Sequence, residues 1–374
     1  MPLKRVTQAG KLYAPHVGGV ERHIALLCHV MQRSGCPFSV RVVCGRDNFG
    51  PRVDEQVNGV RVTRLATAGR LLSTPITLGL ADALRSDSPD LIHFHAPFPW
   101  GDWCAASVFR EVPTIVTHHM DIVRQARLLA LYGPLYRRTL TLARSVLATS
   151  AQSADSSLWL REFRHKVVIV PLGVDVAYWA RLAEMQPPQP ALDARSPRTR
   201  PLLLFVGRLV YYKGLSTLIE AVRDLDVTLA IVGAGPLRTS LERQAHGSSA
   251  DILFLGQLED HELSALYRSA DVFVLPSDSK AEAFGLVLLE AALHGVPMIT
   301  YRLGTGVDHV NIDGKTGISI GERGAAALRR AIVKLLADEP LRNDLGAAAK
   351  ERVLTLFSAT TMVERLSEIY TSTV

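Results

Sequence analysis

Short apolar runs alternate with longer amphipathic stretches along almost the whole chain, and this alternation leaves few architectures open. In the first half, residues 6–8, 39–44, 60–64, 91–95, 114–117, 145–149 and 167–170 read as strands. Residues 20–34, 76–85, 103–111, 128–143 and 151–161 read as helices between them. Strand and helix in regular succession predict parallel sheets covered by helices. The pattern breaks at Pro171-Leu172-Gly173-Val174-Asp175 and again in a Pro- and Arg-rich stretch, 186–201, which lacks periodicity and predicts an exposed loop. It then resumes, with strands expected at 202–206, 228–232, 252–255, 272–275, 298–301 and 317–320. Two α/β halves therefore follow one another.

At 374 residues the chain is long for one core and comfortable for two. With 48% hydrophobic and 21% charged residues, it has the balance of a soluble globular enzyme. No apolar run reaches the roughly 18–20 residues that cross a bilayer. The start, Met1-Pro2-Leu3-Lys4-Arg5-Val6, has no signal-peptide pattern, so the expected location is the cytoplasm. Cys28, Cys36, Cys44 and Cys104 have no metal spacing and read as reduced thiols. A net charge of +6 suits an anionic substrate or the anionic inner surface of a membrane. The basic and apolar residues of 124–144 could lie on such a surface. No nucleic-acid-binding motif is present, so nucleic acid is not an expected partner.

The densest chemistry lies in Ala281-Glu282-Ala283-Phe284-Gly285-Leu286-Val287-Leu288-Leu289-Glu290-Ala291. Glu282 falls in a loop, a helix is expected from about Phe284, and Glu290 falls inside it. Two carboxylates flanking a helix N-terminus suit a ligand with sugar hydroxyls and a phosphate. Upstream, Phe205-Val206-Gly207-Arg208-Leu209 and then Lys213-Gly214 place two cations at the carboxyl end of a strand. A leaving diphosphate needs such charge compensation. In the first half, the paired glycines of His16-Val17-Gly18-Gly19-Val20-Glu21 allow close backbone approach to a ligand at a helix start. In Thr117-His118-His119-Met120-Asp121, adjacent histidines point to opposite sides. His119 is the candidate for hydrogen bonding a sugar hydroxyl, and His118 for packing. His93 and His95 share a strand face, and His95, Asp121, Arg124 and Gln125 are candidates for the acceptor side. No third ligand has metal spacing beside these histidines, so no metal site is expected.

These motifs resemble those of the retaining GT-B glycosyltransferases of the family-4 type. The likeness rests on E-A-F-G-x-x-x-x-E-A at 282–291, V-G-R-L-x-x-x-K-G at 206–214, V-G-x-G-P at 232–236, G-G-x-E at 18–21 and T-x-H at 117–119. It implies two Rossmann-like domains facing across a cleft, residues 1–173 and 174–357, with a C-terminal helix, 358–374, returning to the first. It implies that Glu282 contacts the donor sugar and Glu290 the ribose, while Arg208 and Lys213 clamp the diphosphate. His119 supports the sugar, and Gly18, Gly19, Gly207, Gly233, Gly235, Phe284, Gly285 and Leu286 lie around the donor. The backbone at Gln257 and Leu258 meets the base. The donor is a nucleotide-diphosphate sugar, GDP-mannose first and a UDP-sugar second. The acceptor is a glycan or a polyprenyl-diphosphate-linked glycan of bacterial surface polysaccharide synthesis. No cofactor or metal is required. A nucleotide-sugar epimerase of the same fold and a non-catalytic sugar-nucleotide-binding module are the competing readings.

Overall fold

The computed structural model describes residues 3–16, 18–71, 74–122, 126–185 and 200–374. It divides into two compact units: residues 1–173 with 359–374, and 174–358.

The first unit holds β1 (Lys4–Ala9), β2 (Phe38–Gly45), β3 (Val53–Val57), β4 (Val60–Leu65), β5 (Thr67–Leu71), β6 (Thr74–Thr77), β7 (Leu91–Ala96), β8 (Thr114–His118), β9 (Ser145–Ala148) and β10 (Val167–Ile169). Eight of these form one sheet in the order β10-β9-β8-β7-β1-β2-β4-β3, and β5 pairs with β6 separately. All neighbours in the large sheet are parallel except β3 with β4. Strand order reverses between β1 and β7, so the carboxyl ends of those strands form a topological switch point, where α/β sheets receive ligands. Both strands are buried at that end, and β7 is buried throughout although it carries His93 and His95.

Three features of this unit depart from the expected elements. A helix over 76–85 was expected. Instead Thr74-Pro75-Ile76-Thr77 is extended, and the helix Leu80–Arg85 begins only after Gly79, which takes a left-handed φ of 70°. Residues 103–111 form no single helix: Pro99 starts a helix that ends at Ala105, and a 3₁₀ turn covers Val108–Arg110. Proline's fixed φ suits that first helical position. The edge strand β3 has a largely exposed sequence, Val-Asp-Glu-Gln-Val, with no apolar pattern to announce it.

The second unit holds β11 (Leu202–Val206), β12 (Thr228–Val232), β13 (Asp251–Gly256), β14 (Val272–Leu275), β15 (Met298–Tyr301) and β16 (Gly317–Ile320). They form one fully parallel sheet in the order β13-β12-β11-β14-β15-β16. Counted within the unit this is 3-2-1-4-5-6, the Rossmann order. Its switch point lies between β11 and β14. Those strands, Leu-Leu-Leu-Phe-Val and Val-Phe-Val-Leu, are apolar and buried at every position, as central parallel strands must be.

The last helix, Ala359–Thr373, belongs to the first unit. Met362, Val363, Leu366 and Tyr370 share its buried face and join the core of Ile24, Leu27, Cys28 and Met31. Burial of each such side chain is worth roughly 1.5–3 kcal/mol, enough to hold the helix against this unit. All four cysteines are free thiols. Among the described residues, no helix is long and apolar enough to cross a membrane.

Candidate functional site

In the second unit, the candidate donor residues occupy the loops at the carboxyl ends of four neighbouring strands. Gly207 and Arg208 follow β11, Gly233 and Gly235 follow β12, Gln257 and Leu258 follow β13, and Glu282 follows β14. The two loops at the switch point are fastened to each other by backbone. Asp278 donates its N–H to the Tyr212 carbonyl at 3.0 Å. Gly214 has a φ of 67°, and a Cβ there would stand 1.9 Å from the Pro276 carbonyl oxygen. Only glycine permits this approach, and it sets Lys213 beside the β14 loop.

The result is a buried ion pair. Lys213 Nζ lies 2.5 Å from Glu282 Oε2, and each side chain is only about a tenth exposed. Ser277 donates its hydroxyl to the same oxygen at 2.8 Å. The ammonium also sits 5.7 Å from the centre of the Tyr212 ring. The Glu282 backbone is fixed as well: its N–H donates to Ser279 O at 3.0 Å, and the Thr305 hydroxyl donates to its carbonyl at 2.9 Å. Arg208 is exposed, and its guanidinium has no ion-pair partner among the described residues. One cation is thus held in place and the other is open to solvent at the end of the same strand.

The helix expected from about Phe284 begins at Leu286, after Gly285 in a left-handed conformation with φ 73°. The Phe284 ring turns inward, 3% exposed and 6.1 Å from the Phe357 ring centre. Its side chain belongs to the core, so only its backbone is available to a donor. Leu286 opens the helix, with its N–H among the first-turn donors. Glu290 is buried in that helix and accepts a hydrogen bond from the Tyr267 hydroxyl at 2.9 Å. Gly233 and Gly235 have a packing role that the motif alone does not show. A Cβ at Gly233 would lie 2.0 Å from Gly207 O, and one at Gly235 would lie 2.4 Å from Leu209 O. Their bareness seats the β12 loop against the β11 loop.

In the first unit, Gly18 caps the helix Gly19–Arg33 in extended conformation without a side-chain hydrogen bond. The adjacent histidines diverge as expected. His118 shares a hydrogen bond of 2.6 Å with the Tyr136 hydroxyl and one of 3.0 Å with Asp121 Oδ1. Ser157 also donates to that Asp121 oxygen, at 2.7 Å. Asp121 thus holds His118 and Ser157, an orienting role the sequence did not suggest. His119 turns the other way, onto His95, with Nε2 3.0 Å from His95 Nδ1. His95 is buried and bonded on both ring nitrogens, its Nε2 to Gln8 Oε1 at 2.9 Å. It therefore supports His119 rather than lining an acceptor surface. Arg124 and Gln125 lie outside the described residues. In the basic stretch beyond them, Arg137 pairs with Glu162 at 3.1 Å and sits over the Trp159 ring.

The expectation that no third metal-type ligand accompanies these histidines needs correction. The helix Gly19–Arg33 carries His23 alongside, and one ring nitrogen each of His23, His95 and His119 lie within 4.8 Å of one another. Nothing in the spacing of 23, 95 and 119 along the chain announces this. One contact of the three, His95 to His119 at 3.0 Å, is accounted for as an N–H···N hydrogen bond that engages the lone pair of one of the two rings.

Burial keeps these rings neutral. It lowers the pKa of His23 to about 4 and, with the nearby His23, that of His93 to about 3. His95 and His119 are pushed well below the ordinary value by the same burial and by their histidine neighbours. The unfolded chain, with histidines near 6.5, binds more protons than the folded one below that pH, so stability must fall as pH falls. At pH 5, 1.5 units under the unfolded value, each ring costs at most about 2 kcal/mol. We expect the first unit to lose stability to urea as the pH falls from 6.5 to 4. Urea midpoints, read by fluorescence, that do not change from pH 7 to 4.5 would refute the neutral, buried cluster.

With this geometry in place, the likeness to known proteins is specific. Residues 17–178 match the model of Glycosyltransferase Family 4, and residues 192–352 that of Glycosyl transferases group 1. The D-rhamnosyltransferase WbpZ of Pseudomonas aeruginosa is 34% identical over 346 residues, spanning 92% of this chain and 89% of the relative. The O-antigen chain mannosyltransferase C of Escherichia coli is 30% identical over 382 residues, spanning 98% of each. Among solved structures, sucrose-phosphate synthase from Thermosynechococcus elongatus superposes with a TM-score of 0.79 at 23% identity, covering 99% of this chain and 98% of the other. Its likeness concerns the fold, two Rossmann-like domains of GT-B type. The chain belongs to the glycosyltransferases that join a family 4 domain to a group 1 domain.

Proposed function

We propose that this glycosyltransferase moves a hexose, with retention of anomeric configuration, from a GDP-sugar to a glycan or polyprenyl-diphosphate-linked acceptor during bacterial surface polysaccharide synthesis. GDP-mannose is the first donor, and a GDP-deoxyhexose is its near relation. The observation that carries the reading is the buried Lys213–Glu282 pair at the β11/β14 switch point, with exposed Arg208 on the same loop. Lys213 and Arg208 offset the charge that builds on the leaving diphosphate, and the N–H groups at the start of the helix Leu286–Leu293 add to them. Glu282 accepts from a sugar hydroxyl with the oxygen it does not share with Lys213. Glu290 takes the ribose, and His119 of the first unit hydrogen-bonds the sugar. The departing phosphate accepts the acceptor's proton on the face it leaves, so this route asks nothing of a metal or other cofactor. The mannosyl and rhamnosyl relatives support the choice of sugar, since D-rhamnose is mannose without its 6-hydroxyl.

A thermal-shift screen tests the donor. GDP-mannose should raise the melting temperature more than UDP-, ADP- or dTDP-sugars, since a ligand at 100 times its Kd stabilises by about 2.7 kcal/mol. A larger shift with UDP-glucose would move the donor to the uridine class. No shift and no turnover with any nucleotide sugar would remove the proposal.

A further inference from the structure

Gln8, His93, His95, His119, Thr117 and Tyr370 form one hydrogen-bonded row inside the first unit, and only His119 among them is a candidate for touching substrate. The row starts on the last helix. Gln8 Nε2 donates to Tyr370 Oη at 3.1 Å. The Tyr370 hydroxyl lies 2.6 Å from His93 Nδ1, and His93 Nε2 lies 2.6 Å from Thr117 Oγ1. On its other side, Gln8 Oε1 lies 2.9 Å from His95 Nε2, and His95 Nδ1 lies 3.0 Å from His119 Nε2. All six side chains are buried, at 5% exposure or less.

The roles around this row are set by what each atom can do. An amide oxygen only accepts, so His95 must carry its proton on Nε2. A neutral ring has one proton, so His95 Nδ1 accepts, and His119 Nε2–H must be its donor. That leaves a lone pair on His119 Nδ1, for which the described residues supply no hydrogen-bond partner. In the other direction, the Tyr370 hydroxyl donates to His93 Nδ1, and His93 Nε2–H donates to Thr117 Oγ1. Every bond then has one donor and one acceptor. Reversing the Gln8 amide would reverse the whole row and put the His119 proton on Nδ1.

We infer that Gln8 and Tyr370 are positioning residues for glycosyl transfer: through His95 they fix His119 as its Nε2–H tautomer, so that Nδ1 is presented as an acceptor to a substrate hydroxyl. The inference rests on His119 being the histidine that meets the sugar. It gives the returning helix Ala359–Thr373 a chemical task beyond packing. A hydroxyl that donates to Nδ1 is held in one orientation, with its oxygen lone pairs turned away from the ring. A mixture of tautomers would offer an N–H to the same hydroxyl part of the time and so lose that alignment.

The test uses the full chain labelled with ¹⁵N-histidine. In the ligand-free enzyme, long-range ¹H–¹⁵N spectra should show His119 protonated on Nε2 and unprotonated on Nδ1. Tyr370→Phe removes one hydroxyl. It should shift the His119 signals toward a tautomer mixture and lower kcat about tenfold or more, with the donor KM changed less than twofold. Gln8→Met, close to glutamine in length, should do the same, and carries the test if Tyr370→Phe does not fold. A wild-type His119 protonated on Nδ1 overturns the inference. So do variants that lose only melting temperature, with kcat and the His119 signals unchanged. The ligand-free spectra are independent of substrate. His119→Ala at wild-type turnover would therefore defeat the functional reading of His119 without bearing on the direction of the row.

Discussion

Glu282→Ala is expected to lower kcat by about 10²-fold at the least, and Glu282→Gln by nearly as much. In the proposed reaction the carboxylate does two things at once: it fixes Lys213 through a 2.5 Å contact, and it offers its other oxygen to a sugar hydroxyl. Without it the ammonium loses its anchor, and a misplaced stabiliser of the leaving diphosphate is worth little. Loss of one such preorganised stabiliser typically costs 10²–10³ in kcat. The two variants separate catalysis from stability. Alanine strands a lysine that is about 90% buried, and breaking a buried pair from one side costs about 3–5 kcal/mol. Glutamine keeps the shape and an oxygen for Ser277 and Lys213 but not the charge, so its stability loss should be the smaller of the two. Turnover of a nucleotide sugar and urea unfolding, measured on both, settle the matter. Near-normal kcat in Glu282→Gln would make the charge structural and remove Glu282 from the site.

The second unit was the more legible from sequence, for a physical reason. Its central strands are continuous apolar runs ended by Gly or Pro, so strands and the loops after them announce themselves together. Val206-Gly207-Arg208 and Leu275 followed by Pro276 mark the ends of β11 and β14, and the sheet order places those ends at one switch point. What the chain could not reveal is why some of its glycines are there. Gly233 and Gly235 carry only a motif likeness in the sequence, yet each is required by the neighbouring β11 loop. Gly214 stands in the sequence only as the end of the V-G-R-L-x-x-x-K-G motif, although its approach to Pro276 brings Lys213 to Glu282.

The first unit hid more. Edge strand β3 is polar because both its faces meet solvent, and no period survives. The histidines were visible one at a time, and the divergence of His118 and His119 followed from strand geometry. Their partners were not visible. Gln8 meets Tyr370 across 362 positions of chain, and His23 arrives from a helix whose pattern marks it only as a buried residue. A buried polar row depends on donors and acceptors that come together in three dimensions, and a single sequence carries no local trace of that pairing.

Lys213→Ala should cost about as much catalysis as the change at Glu282, and comparison with Arg208→Ala shows why. Both cations stand at the end of β11, but Lys213 is buried and paired whereas Arg208 is exposed and has no ion-pair partner among the described residues. Arg208→Ala should therefore leave the melting temperature nearly unchanged and act on diphosphate affinity and kcat alone. Lys213→Ala should lower kcat about 10²–10³-fold and also destabilise the fold, because Glu282 is left as a buried, unpaired carboxylate. The double change Lys213→Met with Glu282→Leu sharpens the point. Replacing a buried ion pair by apolar residues of similar size is often neutral or stabilising by about 1–4 kcal/mol. The double variant should then regain the stability lost by either single change while remaining inactive. Stability and turnover would part company in one protein. That result would mean the pair is kept for diphosphate chemistry at some expense to the fold. A double variant that stays as unstable as Lys213→Ala would instead make the pair a structural clasp between the β11 and β14 loops, and the leaving-group role would pass to Arg208 alone.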